Sequence, residues 1–169
     1  IYPDGAVTSA TYASVHGGVL QEIDELGVKT AYTYDAQGNQ LKQTEAVGLP
    51  EQRISDYERD AYGQITKETR KGGSLTLPNG QSVATPDASI ATQYDTRGNR
   101  SQVTAPLGNS STYQYDLQGN VTQLTDAKGN VWKNQYDARG QRTQSTDPLN
   151  KTTHYQYDKV GNLVSMTDA

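Results

Sequence analysis

Cysteine and phenylalanine are absent from the 169 residues, and methionine and tryptophan occur once each. Without cysteine there is no disulfide framework, no thiol nucleophile and no thiolate metal site. Hydrophobic residues amount to 33% of the chain, too few for a thick conventional core. No apolar run approaches the ~20 residues of a membrane-spanning helix; no stretch reads as a signal peptide, which in part of a longer protein says little about the parent. Positive charge is also short: a net charge of −4 and a pI near 5.1 leave no electrostatic footprint for nucleic acid. Arg97, Lys128, Arg139 and Lys159 stand at turn positions and read as solvated tips.

What the chain does have is periodic order, which argues against disorder despite the polarity. Tyr94-Asp95-Thr-Arg-Gly98-Asn99 recurs as Tyr115-Asp116-Leu-Gln-Gly119-Asn120, Tyr136-Asp137-Ala-Arg-Gly140-Gln141 and Tyr157-Asp158-Lys-Val-Gly161-Asn162, at a fixed spacing of 21 residues. A period of this size is the mark of a repeat architecture. Upstream the ruler slips. Tyr34-Asp35-Ala-Gln-Gly38-Asn39 is a full copy, and Arg59-Asp60-Ala-Tyr-Gly63-Gln64 has lost its motif tyrosine. Gly17-Gly18-Val19 and Asp24-Glu-Leu-Gly27 mark a weaker first copy. Repeats therefore start near residues 13, 34, 59, 94, 115, 136 and 157, and residues 1–169 form a single array. The array starts and stops inside a repeat, so the sequence reads as part of a longer protein.

Each repeat holds two turn signals, as at Asp116 to Asn120 and at Thr125 to Asn130. Asp opens a type I turn by accepting backbone N–H bonds, and Gly at its end takes positive φ without a Cβ penalty. Such a turn with its left-handed Gly makes a hairpin loop with a G1 bulge. Between the turns lie stretches rich in Tyr, Thr and Val, such as 111–115 and 121–125, which are strand compositions. One repeat is thus two antiparallel strands and two tight turns, and no segment reads as a helix. The period of two puts Tyr113 with Tyr115, Tyr32 with Tyr34 and Tyr155 with Tyr157 on one face, where stacked repeats predict a ladder of rings. Val103, Leu124 and Met166 share one position, interrupted by Ser145; Thr104, Thr125, Thr146 and Thr167 fill the next.

Residues 71–87 are a hairpin-like insertion in which Asn79-Gly80 predicts a type I′ turn. The fold class expected is all-β, an antiparallel meander of hairpins. About thirteen strands at ~4.8 Å give a sheet ~60 Å wide, which must curl. A curved or spiral strip follows, with neighbour-only contacts and open edges that invite pairing with another chain.

The phrase carried by Tyr34-Asp35, Tyr94-Asp95, Tyr115-Asp116, Tyr136-Asp137 and Tyr157-Asp158, with their glycines, resembles the YD repeat of the Rhs (rearrangement hot spot) family. Relatives include the C component of bacterial Tc toxins, Rhs toxins of type VI secretion, wall-associated proteins and animal teneurins. The resemblance implies a section of a hollow β-shell that encloses a C-terminal toxin, or that supports adhesion in teneurins. Its implied partners are the rest of the shell and the enclosed toxin, and its implied setting is secreted or at a bacterial cell surface. The lack of cysteine suits export. Bacterial members close their shell with a self-cleaving aspartyl-protease region built on Asp-Pro-x-Gly. Asp147-Pro148-Leu149-Asn150 lacks that glycine and falls at an ordinary second turn, so it reads as a turn.

Chemistry has few footholds. The motif aspartates recur at one position with one structural job, whereas a catalytic pair needs two carboxylates in different environments. The loops lack the Asp-x-Asp-x-Asp spacing of calcium sites. Neither a catalytic residue, a metal nor a cofactor is expected. His16 is placed to cap the Gly17-Gly18 turn, and His154 reads as a surface strand residue. Trp132, which replaces Ser111 and Thr153 of neighbouring repeats, is a packing anchor or part of a ligand platform. With Tyr113, Tyr115, Tyr155 and Tyr157 it makes the candidate surface for carbohydrate or a cell-surface partner.

Overall fold

Strand after strand, the chain turns back on itself. In a computed structural model that describes residues 8–168, every regular element is a β-strand. The chain divides between Ala91 and Thr92 into two halves. The first contains β1 (Ser9–Tyr12), β2 (Val19–Ile23), β3 (Lys29–Tyr34), β4 (Gln40–Glu45), β5 (Arg53–Arg59), β6 (Ile65–Arg70), β7 (Ser74–Thr76) and β8 (Ser82–Ala84). Strand β9 (Ala88–Tyr94) begins in the first half and ends in the second. There follow β10 (Arg100–Thr104), β11 (Ser110–Tyr115), β12 (Val121–Thr125), β13 (Val131–Tyr136), β14 (Arg142–Thr146), β15 (Thr152–Tyr157) and β16 (Leu163–Thr167). Hydrogen-bonded order is chain order in each half, β1-β2-β3-β4-β5-β6-β9 and then β9-β10 through to β16, with β7-β8 set aside as its own hairpin. The all-β antiparallel meander expected from the repeat is what the chain forms.

Two kinds of hairpin alternate. The tyrosine hairpin joins β11 to β12 across Asp116–Asn120. There the Asp116 N–H donates to the Asn120 carbonyl at 3.0 Å, the Gly119 N–H to the Asp116 carbonyl at 3.3 Å, and Gly119 has φ +87°. The pairing skips one residue beside this loop: Gln114 faces Gln123, but Tyr115 faces Val121. The same skip recurs at Tyr12, Tyr34, Arg59, Tyr136 and Tyr157. The threonine hairpin, from β12 to β13 across Asp126–Asn130, keeps its register. At Asp147-Pro148-Leu149-Asn150 the turn closes in the same way, with Asn150 at φ 63° in the place of glycine.

Register fixes the faces. One face of the second half carries Tyr113, Tyr115, Leu124, Trp132, Tyr136, Tyr155 and Tyr157; the other carries glutamines and threonines such as Gln114, Gln123, Thr125, Gln135, Gln144 and Thr146. Hydroxyls link across the threonine hairpins, Thr104 to Ser110 at 2.9 Å and Thr146 to Thr152 at 3.1 Å. Leu124 faces Tyr113 on one side and Trp132 on the other, and these lie 19 residues apart where the repeat is 21. Each repeat is therefore displaced by two residues along the strand from the one before. Among the described residues only Ala46 and Thr69 are buried, and no large side chain is fully buried. Within each half the sheet is one layer thick, so its cohesion rests on backbone ladders, loops and half-covered side chains rather than on a core.

The insertion differs from expectation in its turn. Asn79 does not have positive φ, whereas Gly80 has φ 79°, and the Leu77 N–H bonds the Gln81 carbonyl at 2.8 Å. This is the type I loop with a left-handed glycine, not type I′. Pro78 is the reason: without an N–H it cannot complete the hydrogen-bonded pair that flanks a type I′ turn at Asn79-Gly80, whereas its φ near −65° suits the first central position of a type I turn. The neck of the insertion is clamped by Lys71, whose Nζ lies 3.0 Å from Asp87 and 3.5 Å from Asp56.

Gly119→Val places a β-branched side chain at φ +87°, so it is expected to lower unfolding stability by roughly 1 kcal/mol or more in a denaturant titration.

Candidate functional site

The functional unit of this sheet is the joint between successive repeats. Past the bulge, the second strand of a repeat bends away from its next neighbour. The β12–β13 ladder ends at the rung Gln123↔Lys133, which leaves the Val121 carbonyl beyond it. Tyr136 fills that wedge: its hydroxyl donates to the Val121 carbonyl at 3.0 Å, and Asn134 Nδ2 donates to the same oxygen at 3.1 Å. The bond recurs at the same separation of 15 residues elsewhere. Tyr34 reaches the Val19 carbonyl at 2.7 Å, Tyr115 reaches Arg100 at 2.8 Å and Tyr157 reaches Arg142 at 3.0 Å. Burial at this joint also pushes the Tyr115 hydroxyl pKa up.

The degenerate copy keeps the joint by other means. Arg59 stands where the tyrosine is missing, and its Nε donates to the Gln40 carbonyl at 3.0 Å, the equivalent first residue of a second strand. Its second arm holds the Gly63 carbonyl at 2.7 Å. Only its place directly before Asp60 marked Arg59 in the sequence; the role becomes visible once the carbonyl it meets is known.

The aspartates hold the loops. Asp116 Oδ1 accepts the N–H groups of Gln118 and Asn120, each at 2.9 Å, and Oδ2 accepts Asn120 Nδ2 at 2.9 Å. Asp35, Asp95, Asp126 and Asp158 do the same with their own asparagines. Donation by the asparagine side chain is the first cause that holds Asp35, Asp95, Asp116 and Asp126 below the usual carboxylate range; for Asp158 the Asn162 backbone N–H leads. Where Gln141 replaces asparagine, its Nε2 reaches onward to the Gly161 carbonyl at 3.1 Å. Two turn arginines expected at solvated tips also bridge to the next loop: Arg97 donates to the Asp116 carbonyl at 3.2 Å and Arg139 to that of Lys159 at 2.7 Å. Their long forked side chains span the gap between loops, while the stems stay exposed.

The candidate ligand surface is brought onto one face but not into one cluster. Trp132 lies opposite Leu124 and is half-buried. Tyr115 and Tyr157 are committed through their hydroxyls to the joints. Tyr155 receives Arg142 over its ring at 4.7 Å and a 3.3 Å hydrogen bond at its hydroxyl. Tyr113 lies opposite Leu124 on the other side from Trp132. The expected ladder of stacked rings does not form between joint tyrosines. Like positions are two strands apart, about 9.6 Å, and aromatic pairs need centroids within about 7 Å. The two-residue stagger separates them further. His16 caps its turn as expected, accepting the Gly18 N–H at Nδ1 (3.1 Å), and its ring also packs on Tyr34 at 4.7 Å. His154 is an exposed strand residue. Among the described residues no group of three or more His, Asp or Glu is placed to hold a metal ion.

The RHS Repeat family model matches residues 16–50, 94–131 and 136–169. The chain belongs to the RHS Repeat family. Among solved structures it is similar to the complex described as TcdB2-TccC3-Cdc42, with a TM-score of 0.53, 15% identity and 98% of this chain covered. The TcdB2-TccC3 complex gives a TM-score of 0.54, 15% identity and 95% coverage. This chain spans 10% of the length of either of those chains, and at such identity the likeness is one of fold. No curated protein sequence matches it.

Tyr136→Phe removes one joint bond without changing the ring and is expected to cost about 1 kcal/mol, read by denaturant unfolding. Arg59→Leu removes the equivalent bond in the degenerate repeat and is expected to cost at least as much, because its donor is charged. A pH series gives a third outcome. Depressed aspartates contribute stability that is complete above the ordinary value of 3.8 and is lost as pH falls below it. The melting temperature should therefore drop as pH falls from about 4 to 2. At the alkaline end, Tyr32 is pushed up to about 12, chiefly by burial and then by its bond to Glu22. Its contribution is full below pH 10 and is lost as the pH rises towards 12.

Proposed function

We propose that this chain is a structural section of a β-shell that encloses, and helps deliver, a C-terminal toxin of a secreted bacterial protein. The observation that carries the reading is a sheet one layer thick whose repeats are joined by bonds to the backbone. Such a sheet separates two spaces with two chemically different faces, which is what a container wall needs and what a domain with a core does not provide. Family membership and the fold shared with the TcdB2-TccC3 complexes support it. The role is non-catalytic, since the motif carboxylates are committed as loop acceptors. Its partners are the rest of the parent shell and the enclosed toxin. Apolar turn tips such as Leu26, Leu107 and Leu149, each 78–90% exposed, offer contact points for neighbouring parts of that shell.

A second reading is a carbohydrate- or cell-surface-binding module on the same scaffold. Trp132 and the Arg142–Tyr155 pair favour it, because both present ring surface on one sheet face.

The parent gene tests the first reading directly. It should encode a toxin-like domain downstream of the array, and limited proteolysis of the full-length chain should leave that domain intact while the array is folded. A parent chain with no such domain overturns it. Binding in a glycan titration that disappears on Trp132→Ala or Tyr115→Ala, with folding intact by circular dichroism, would move the assignment to the second reading.

A further inference from the structure

We propose that one face of the first half carries a binding site for a neutral saccharide across β4, β5 and β6, centred on Arg53, Tyr57 and Arg70. The site goes beyond the second reading above, which places carbohydrate on Trp132 in the other half. Cross-strand rows put Glu45 opposite Arg53, Gln43 and Arg70 on either side of Ser55, and Tyr57 opposite Glu68. These side chains line a cleft of about 550 Å³, within the ~300–1,000 Å³ of small-ligand sites. Their polarity departs from the pattern of the later repeats. Gln43 and Glu68 stand where Val103 and Leu124 stand in their repeats, and Ser55 stands where Trp132 does. Length departs from the pattern at the same spot. The spacing of 21 residues grows to 25 between Tyr34 and Arg59 and to 35 between Arg59 and Tyr94. The added residues fall in the β4–β5 loop and in the 71–87 insertion. The loop is tied down by the Val47 N–H, which donates to the Lys29 carbonyl at 2.9 Å, and the neck of the insertion by the Lys71 N–H, which donates to Ile54 at 2.9 Å. Ala46 and Glu51 of that loop wall an adjoining cleft of about 360 Å³, which shares Gln43, Glu45 and Arg53 with the first.

The chemistry of the cleft selects the ligand. Glu45 and Glu68 balance Arg53 and Arg70, so no net charge is on offer to an ion. Lys71 adds none, because its Nζ pairs with Asp56 and Asp87. What the cleft presents is donors and acceptors side by side. Glu45 accepts from Gln43 Nε2 at 3.0 Å, and Glu68 lies 3.5 Å from Arg70 Nε. Each carboxylate keeps further lone pairs to offer. Arg53 is exposed, and no described residue bonds its guanidinium. Planar guanidinium, carboxylate and amide groups can each engage two neighbouring hydroxyls. The half-buried Tyr57 adds a ring on which the C–H face of a sugar packs. A neutral saccharide uses all of these together. A peptide strand would satisfy its backbone at a sheet edge instead, and β4, β5 and β6 are interior strands paired on both sides. A few hydrogen bonds in an exposed cleft give modest affinity, with Kd between about 0.1 and 10 mM.

Titration of the chain with maltose, cellobiose, lactose and N,N′-diacetylchitobiose, followed by backbone amide shifts, tests this. At least one of these sugars should bind with Kd below about 10 mM, and the shifts should concentrate on β4, β5 and β6. Arg53→Ala should weaken that binding roughly tenfold or more, because hydrogen bonds from a charged donor are lost. Arg53→Lys keeps the charge but loses the fork, and should weaken it as well. Trp132→Ala should leave it unchanged. Circular dichroism confirms folding, and Glu45→Gln, which should also weaken binding, replaces any Arg53 variant that fails it. Failure of all these sugars to bind, or tighter binding of glucuronic acid or a short peptide at the same residues, would overturn the proposal. Binding that is lost on Trp132→Ala and kept in Arg53→Ala overturns it in favour of the second reading.

Discussion

The bond from a tyrosine hydroxyl to a backbone carbonyl of the preceding repeat is the constraint on which the other features depend. A β-bulge turns each second strand away from its next neighbour and leaves a wedge at the end of a short ladder. An unfilled wedge would leave a carbonyl without a partner beside a half-covered ring, at the cost of an unmade hydrogen bond. Tyr34, Tyr115, Tyr136 and Tyr157 close it with one side chain that is long, stiff and amphipathic. Phenylalanine would fill the space and miss the bond, which gives a physical reason for a chain with 12 tyrosines and no phenylalanine.

The loops complement the joints. A tight loop held by an aspartate fixes where the bulge falls, and the bulge fixes which carbonyl is offered to the next tyrosine. Asp116 and Gly119 thus determine the environment of Tyr136, a whole repeat away, through geometry rather than contact. A sheet assembled in this way has no need of a second layer. Its two faces are free to differ, one set with tyrosine, tryptophan and aliphatic side chains, the other with glutamine and threonine.

Much of this was legible in the sequence because it is local. Strand limits, loop positions, the capping role of His16 and the common face of Tyr113 and Tyr115 follow from period and turn chemistry. The hydroxyl partners did not, since a backbone carbonyl has no sequence signature and the register slip that exposes it is a property of pairing. Arg59 looked like a lost tyrosine for the same reason. The rings were expected to stack because the repeat aligns them, but alignment two strands apart exceeds contact distance. At the insertion, Asn79-Gly80 taken as a dipeptide concealed the effect of Pro78 before it. On the candidate ligand face, the sequence placed the aromatic residues correctly on one side, yet it could not tell which hydroxyls the sheet itself occupies.

At five joints the acceptor is a main-chain oxygen, carried in turn by valine, glutamine, arginine, valine and arginine. Recognition between neighbouring repeats is therefore blind to the side chain at that point. Any repeat can follow any other, provided its tyrosine or an adequate donor is in place. Loss or duplication of a whole 21-residue stretch in the gene would leave every remaining joint chemically complete. An array of this kind can change length by recombination without passing through an unfolded ancestor.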